Sequence, residues 1–294
     1  MTETAAPSMG HEVSLLVRSY YDIQKVRIEH QLRVKTLERS GQFSSEAKAE
    51  KHYSLGVDEL QAVEDLLKKR IDQATKGHQV REEFMSKVSG IGPVLAGGII
   101  AQIARREQVR ARMRSGLEQW ITAPELYPNE GILKERHEEL GVEEILLERR
   151  GGIACFETIS KLWAYAGLAV GGDGLAVRRK AGERSNWNAV FKTLAWKVGE
   201  SFVKCGKSYR EEYDRYKARI RLEHPEAIAV EGKKGKRFTE GNVHAMAKRY
   251  ATKLFISHVW LCWRELEGLP VTAPYVIERL GHTTMKGWRD FLDR

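Results

Sequence analysis

The stretch VSGIGPVLAGGII, residues 88–100, restricts the fold more than any other part of this chain. An apolar helix end runs into Gly90-Ile91-Gly92, then Pro93, then a helix of small and aliphatic residues. Glycine tolerates positive φ and close backbone approach. Proline suits a first helical turn, where its missing N–H costs nothing. The pattern predicts a helix-hairpin-helix, with Ile91 plugging the gap between two helices that Ala96, Gly97 and Gly98 keep close. The second helix would present unpaired backbone N–H groups and the positive end of its dipole. Such an end holds a phosphate without reading sequence. Gly90, Ile91, Gly92 and Val94 are therefore candidate DNA contacts; the plainer alternative is a connecting turn that binds nothing.

Helical spacing recurs on both sides of this turn, and strand-like alternation is not evident. Residues 12–39 place Val13, Leu16, Val17, Tyr20, Ile23, Ile28 and Leu32 on one stripe, broken at Ser40-Gly41. A second helix, capped by Ser44 or Ser45, runs to about Thr75 with Leu60, Val63, Leu67, Ile71 and Ala74 in steps of three and four. Two long helices with narrow stripes suit a coiled-coil hairpin, within one chain or between two. Val80, Phe84 and Val88 mark a third helix. Residues 121–131 read as a loop and 132–150 as a charged helix. Helical patterns return at 156–166, 186–222, 240–267 and 273–292, with a basic loop at 231–237. The expected fold class is all-α. The expected organisation is a disordered tail over 1–11, a coiled-coil helical hairpin over 12–87, and a helix-hairpin-helix domain over 88–294 with a helical insertion at about 104–155.

Charge is unevenly distributed. The net charge is +9, yet residues 156–294 carry 26 Lys and Arg against 16 Asp and Glu, while residues 1–155 are close to neutral. A basic half joined to a neutral one points to a polyanion, most often nucleic acid. Cys155, Cys205 and Cys262 form no CxxC pair, which excludes a cysteine zinc finger and a disulfide framework. No apolar run approaches the roughly 18 residues of a membrane span, and no secretory signal is visible. A cytoplasmic protein with no membrane partner is expected.

Three segments carry a family resemblance. SGIGPVLAGGIIAQI, then FETISKLWAYAGLAV at 156–170, then HAMAKRYATKLFISHVWLCWRELEGLPVTAPY at 244–275 resemble the C-terminal domain of the insertion-sequence 110/116/902 transposases. Lys253, Trp260 and Tyr275 fall in matching places, and residues 12–87 resemble the coiled coil that precedes the hairpin in that family. The resemblance implies DNA transposition, and it brings in structured RNA as a second partner because the family uses a guide RNA. Two departures stand out. Family members begin with an RNase-H-like domain whose four acidic residues bind metal, whereas this sequence starts at the coiled coil, so neither metal nor cofactor is expected. The family's serine nucleophile follows its "YaGL.P" motif; here residues 167–184 contain no Ser, Thr, Tyr or Cys, and Gly171-Gly172-Asp173 occupy that place. Glycine cannot attack a phosphodiester.

Ser185 is the nearest hydroxyl. It is read either as a displaced nucleophile, with Arg178, Arg179 and Arg184 stabilising phosphorane-like charge, or, more plainly, as the cap of a helix starting near Asn186. Arg178, Arg179, Lys180, Arg184, Lys192 and Lys197 lie in sequence around Trp187 and Trp196. Cations interleaved with aromatics suit phosphate contact and base stacking, although the plainer reading makes the two tryptophans core residues under a basic face. Tyr209, Tyr213 and Tyr216 share a helical face and read as packing. The LGH triplet at 280–282 lacks the following tyrosine that a tyrosine recombinase needs. His258 and Cys262 stand one turn apart and read as a buried structural pair rather than a metal site. The expected function is therefore a DNA-binding, transposase-like protein of a mobile element that lacks autonomous catalysis and forms a homodimer or higher oligomer. Two alternatives are a strand-transfer enzyme using Ser185 or a partner's nuclease, and a structural dimerisation or RNA-binding protein.

Overall fold

The computed structural model describes residues 9–41, 56–126, 129–171, 176–177, 181–182, 185, 187–225, 239–271 and 287–293. In chain order the described helices are α1 (Met9–Arg39), α2 (Val57–Thr75), α3 (Gln79–Glu83), α4 (Pro93–Ala104), α5 (Glu130–Leu140), α6 (Ile159–Tyr165), α7 (Ala189–Cys205), α8 (Ser208–Glu223) and α9 (Glu240–Leu266). Strands β1 (Glu107–Met113), β2 (Glu118–Thr122) and β3 (Val142–Gly151) form an antiparallel sheet in the order β2-β1-β3. The protein is thus mostly helical but not all-α. None of the described helices is long and apolar enough to cross a membrane.

The sheet corrects the expected helical insertion. In β1, Val109, Ala111 and Met113 are buried and alternate with Arg110 and Arg112, which ion-pair with Glu118, Glu144 and Glu148 on the neighbouring strands. Ser115-Gly116 turns the chain into β2, with Gly116 at φ 79°. Gly141, at φ 68°, ends α5 and lets residues 142–151 pair as a strand. The sheet has its own small core of Val109, Ala111, Met113, Ile121 and Ala123.

Three boundaries also move. Met9 to His11 belong to α1 rather than to a disordered tail, since Val13 is fully buried and α1 continues back onto the end of α4. The pattern at 186–222 is two helices, separated at Gly206-Lys207, where both residues take positive φ. At the C-terminal end, Trp288–Phe291 form a 3-10 turn, while 272–286 lie outside the described residues, as do Ser44, Ser45 and the basic loop at 231–237.

The main core gathers side chains from α3, α4, α6, α7, α8, α9 and the 3-10 turns, among them Phe84, Ile99, Leu162, Phe202, Tyr209, Phe255, Trp260 and Phe291. The α1 and α2 helices run antiparallel: Val13 clusters with Ile71, while Arg27 further along α1 meets Glu64 earlier on α2. They dock on α4 and α7 through Val13, Val17, Ile71, Val94, Ala101 and Leu194. The small residues of α4 make this approach possible. A Cβ on Gly97 would stand 2.6 Å from Ile71 of α2, and one on Gly98 would stand 2.9 Å from Leu194 of α7. The stripe on α1 is buried only over its first half; Ile28 and Leu32 are exposed, as are Val63 and Leu66 on α2.

Candidate nucleic-acid interface

The turn at 88–92 is held from three directions. Gly90 takes φ 90°, and its carbonyl accepts the Ser201 hydroxyl at 2.6 Å from α7. The Ser89 N–H donates to Asp293 at 2.8 Å. Ile91 is buried in the main core. The two glycines differ in role. Gly92 is extended (φ −87°, ψ 175°), exposed, and has open space where a Cβ would stand. Only Gly90 needs positive φ; Gly92 leaves the entry to α4 uncovered. Pro93 is the first helical residue, and Val94 anchors the helix by burying its side chain. The N–H groups of the first turn have no i−4 carbonyl by helix geometry, and they point outward with the positive dipole end.

A cavity of about 430 Å³ opens at this point. Its floor is the start of α4, from Gly92 to Leu95. One wall is the α7 face carrying Trp196, Lys197, Glu200, Ser201 and Lys204. The opposite wall is Tyr20, Tyr21 and Gln24 of α1, with Lys68 of α2. The Lys197 ammonium lies 4.0 Å from the centre of the Tyr21 ring, and burial lowers its pKa. Burial, aided by the Tyr20 phenol beside it, raises the Tyr21 pKa, so this phenol stays neutral. Glu200 is the acidic member of the α7 wall. It pairs with Lys248, whose hydrogen bond lowers the carboxyl's pKa. Among the described residues, Lys68, Lys197 and Lys204 have no ion-pair partner. The groove therefore carries unneutralised positive charge beside aromatic rings.

The structure brings Gly90, Ile91, Gly92, Val94 and Lys197 to one place. It separates Lys192 from them. That ammonium donates to the Val177 carbonyl at 3.2 Å, lies 4.1 Å from the Trp187 ring centre, and has a pKa lowered by burial and by Arg249. Arg178, Arg179, Lys180 and Arg184, with Gly172 and Asp173, lie outside the described residues. Ser185 is half-buried and does not cap the helix. Asn188 does, accepting the Phe191 N–H at 3.0 Å, because α7 starts at Ala189. Trp196 is not a core residue: it is 60% exposed. Lys68, Lys204, Tyr20 and Tyr21 are the groove residues that sequence reasoning missed.

The three segments that carry the family resemblance share the main core. The Trp260 indole N–H donates to the Phe156 carbonyl at 2.7 Å, and that of Trp163 to the Lys253 carbonyl at 3.2 Å. Arg249 donates to the carbonyls of Leu168 and Ala169, both at 2.7 Å. The Lys253 ammonium lies 3.9 Å from the Trp163 ring centre, and burial, reinforced by Arg249, brings its pKa down to about 8. Tyr275 and the LGH triplet lie outside the described residues.

The three tyrosines of α8 pack. Tyr209 bonds to His258 at 2.7 Å, Tyr213 bonds to His244 at 2.7 Å, and Tyr216 stacks on Tyr250. His258 and Cys262 are buried, and among the described residues no cluster of three or more His, Cys, Asp and Glu side chains forms a metal site. No protein-family model matches this chain, and no curated protein matches it.

Proposed function

We propose that this chain is a DNA-binding protein of transposase type, acting on a mobile element without cutting DNA by itself. The observation that carries the reading is the groove at the start of α4. An exposed glycine, a proline and a free first turn stand among three lysines that have no ion-pair partner among the described residues. Phosphate is the ligand that both the dipole end and the ammonium groups favour. The transposase part rests on the three resembling segments. The absence of autonomous cutting rests on residues 167–184, which offer no hydroxyl or thiol nucleophile where the family places its serine. A second copy completes the proposal: it covers the exposed outer parts of α1 and α2, joining two hairpins as a coiled coil, and the pair then holds DNA bivalently.

Fluorescence anisotropy on a labelled duplex, with a supercoiled-plasmid nicking assay beside it, tests this reading. Duplex binding that falls at least tenfold in the Lys197→Glu, Lys204→Glu double variant, with no nicking in the presence or absence of magnesium, is the expected result. A protein–DNA adduct that disappears in Ser185→Ala overturns the non-catalytic reading and makes Ser185 the nucleophile. Binding that the double variant leaves intact removes the groove from the interface.

A further inference from the structure

Six of the seven tryptophans are buried or half-buried, and Trp196 alone is exposed. Helical spacing puts Trp196 on the face of α7 that also carries Lys197, Glu200, Ser201 and Lys204. An indole left in water forgoes the stabilisation that burying a large aromatic provides. Here it stands at the rim of the cavity described above, with the Lys248 ammonium 5.6 Å from its ring centre. Lys248 in turn pairs with Glu200. The ring is thus braced from its own side by a cation already satisfied by a carboxylate, and it keeps exposed surface toward the cavity. Across the groove, Tyr20 and Tyr21 meet edge to face with ring centres 5.3 Å apart.

We infer that this groove takes unpaired single-stranded DNA, with one base stacked on Trp196 and the adjoining phosphates on Lys197, Lys204 and Lys68. The inference rests on the DNA-binding reading and names the form of DNA that the groove prefers. Duplex bases are already stacked on one another and give a protein indole no face to lie on. A single strand can turn its bases out, and stacking on aromatic side chains tolerates any sequence. The cavity volume falls within the roughly 300–1,000 Å³ of small-ligand sites, enough for one or two unpaired nucleotides, whereas a duplex meets the same lysines only with the phosphates of its backbone at the rim. The charges agree with this occupant: three lysines without ion-pair partners among the described residues face it, and Glu200, the carboxylate on the α7 wall, is paired with Lys248. Lys197 is the most desolvated of the three cations, and a phosphate there would replace the lost water.

The test uses the full chain, an oligothymidine of about 12 nucleotides, a length within the usual range of single-strand sites, and a duplex of equal length. Tighter binding of the single strand, with quenching of tryptophan fluorescence, is the expected result. Trp196→Ala should weaken single-strand binding by about tenfold, Trp196→Phe should restore much of it, and duplex affinity should change less than twofold in both. Because Trp196 is exposed, circular dichroism and melting temperature should match the wild type in each variant. Equal affinity for the two DNA forms, or single-strand affinity and quenching unchanged in Trp196→Ala, overturns the inference while duplex binding keeps the DNA-binding reading standing. Absence of binding to either form overturns both. An oligouridine arm completes the set: binding of RNA in preference to DNA contradicts the assignment to single-stranded DNA.

Discussion

Asp293 and Ser89 are joined across 204 positions of the chain: the Ser89 N–H donates to one carboxylate oxygen of Asp293 at 2.8 Å. The other oxygen accepts the Ser208 hydroxyl at 2.7 Å, and the Asp293 N–H donates to the Lys87 carbonyl at 2.9 Å. A single carboxylate thereby ties the end of the described chain to the start of the glycine turn and to the start of α8. Burial alone would raise its pKa, but the hydrogen bonds from Ser208 and Ser89 outweigh burial and hold it below the usual aspartate value.

Asp293→Ala is expected to cost about 2 kcal/mol, because charge-assisted bonds are lost and the Ser89 N–H is left without its acceptor. The sign of the pH dependence follows from the lowered folded pKa. The contribution is present above the ordinary aspartate pKa of about 3.9 and is lost as pH falls through the lower folded value. Urea melts of both proteins between neutral pH and strong acid check this: the gap between them should close in acid. A gap that stays constant contradicts the ionic part of the account.

The glycine turn was legible because its chemistry is local. Gly90, Ile91, Gly92 and Pro93 act through backbone freedom and first-turn geometry, which sequence displays directly. The sheet was missed. Val109-Arg110-Ala111-Arg112-Met113 does alternate, but over only five residues among helical patterns, and β3 reads Glu-Glu-Ile-Leu-Leu-Glu-Arg-Arg, a charge pattern equally at home on a helix. Tertiary pairing with β1 decided it. The groove was the least legible part. Lys197 stood out by charge, but Trp196 looked like core, and Tyr20, Tyr21 and Lys68 reach the site only because α1 and α2 dock on α4 through Gly97 and Gly98.

The two turn glycines should separate folding from binding. Gly90→Ala forces a side chain to φ 90° and sets its Cβ 2.9 Å from the Ser201 hydroxyl, so a loss of about 2 kcal/mol or more is expected. Gly92→Ala meets open space at an ordinary φ, so stability should hold or rise by up to about 1 kcal/mol. Its DNA affinity should nevertheless fall, because the new methyl occupies the approach to the α4 N-terminus. Thermal melts and anisotropy on the same samples decide between this division and a turn that serves folding alone.

Lys253 provides a pH test in the opposite sense. Its folded pKa of about 8 lies below the ordinary lysine value, chiefly through burial. The charged form is therefore disfavoured in the folded state at neutral pH, and wild-type stability should rise relative to Lys253→Met as pH climbs from about 8 toward about 10.4. Denaturant melts across that window measure it. A constant difference would mean that Lys253 is not desolvated as the structure places it.

Self-association is expected through the outer part of the first two helices, where Val26 and Leu66 are each 50% exposed and Leu32 is 58% exposed. Leu32→Glu with Leu66→Glu should convert a dimer or larger species into monomers without loss of helicity. Analytical ultracentrifugation reads the change. A wild-type protein that sediments as a monomer at tens of micromolar concentration would end the bivalent reading.

The central claim is that the lysines around the α4 N-terminus grip DNA phosphates. The most direct measurement is the slope of log K against log[salt] for duplex binding by the wild type and by the Lys68→Gln, Lys197→Gln, Lys204→Gln triple variant. Each phosphate contact contributes about −0.9 to that slope, so the variant should flatten it by about two to three units while keeping the wild-type melting temperature. A slope that the three substitutions leave unchanged would contradict the account and put the phosphate contacts elsewhere on the protein.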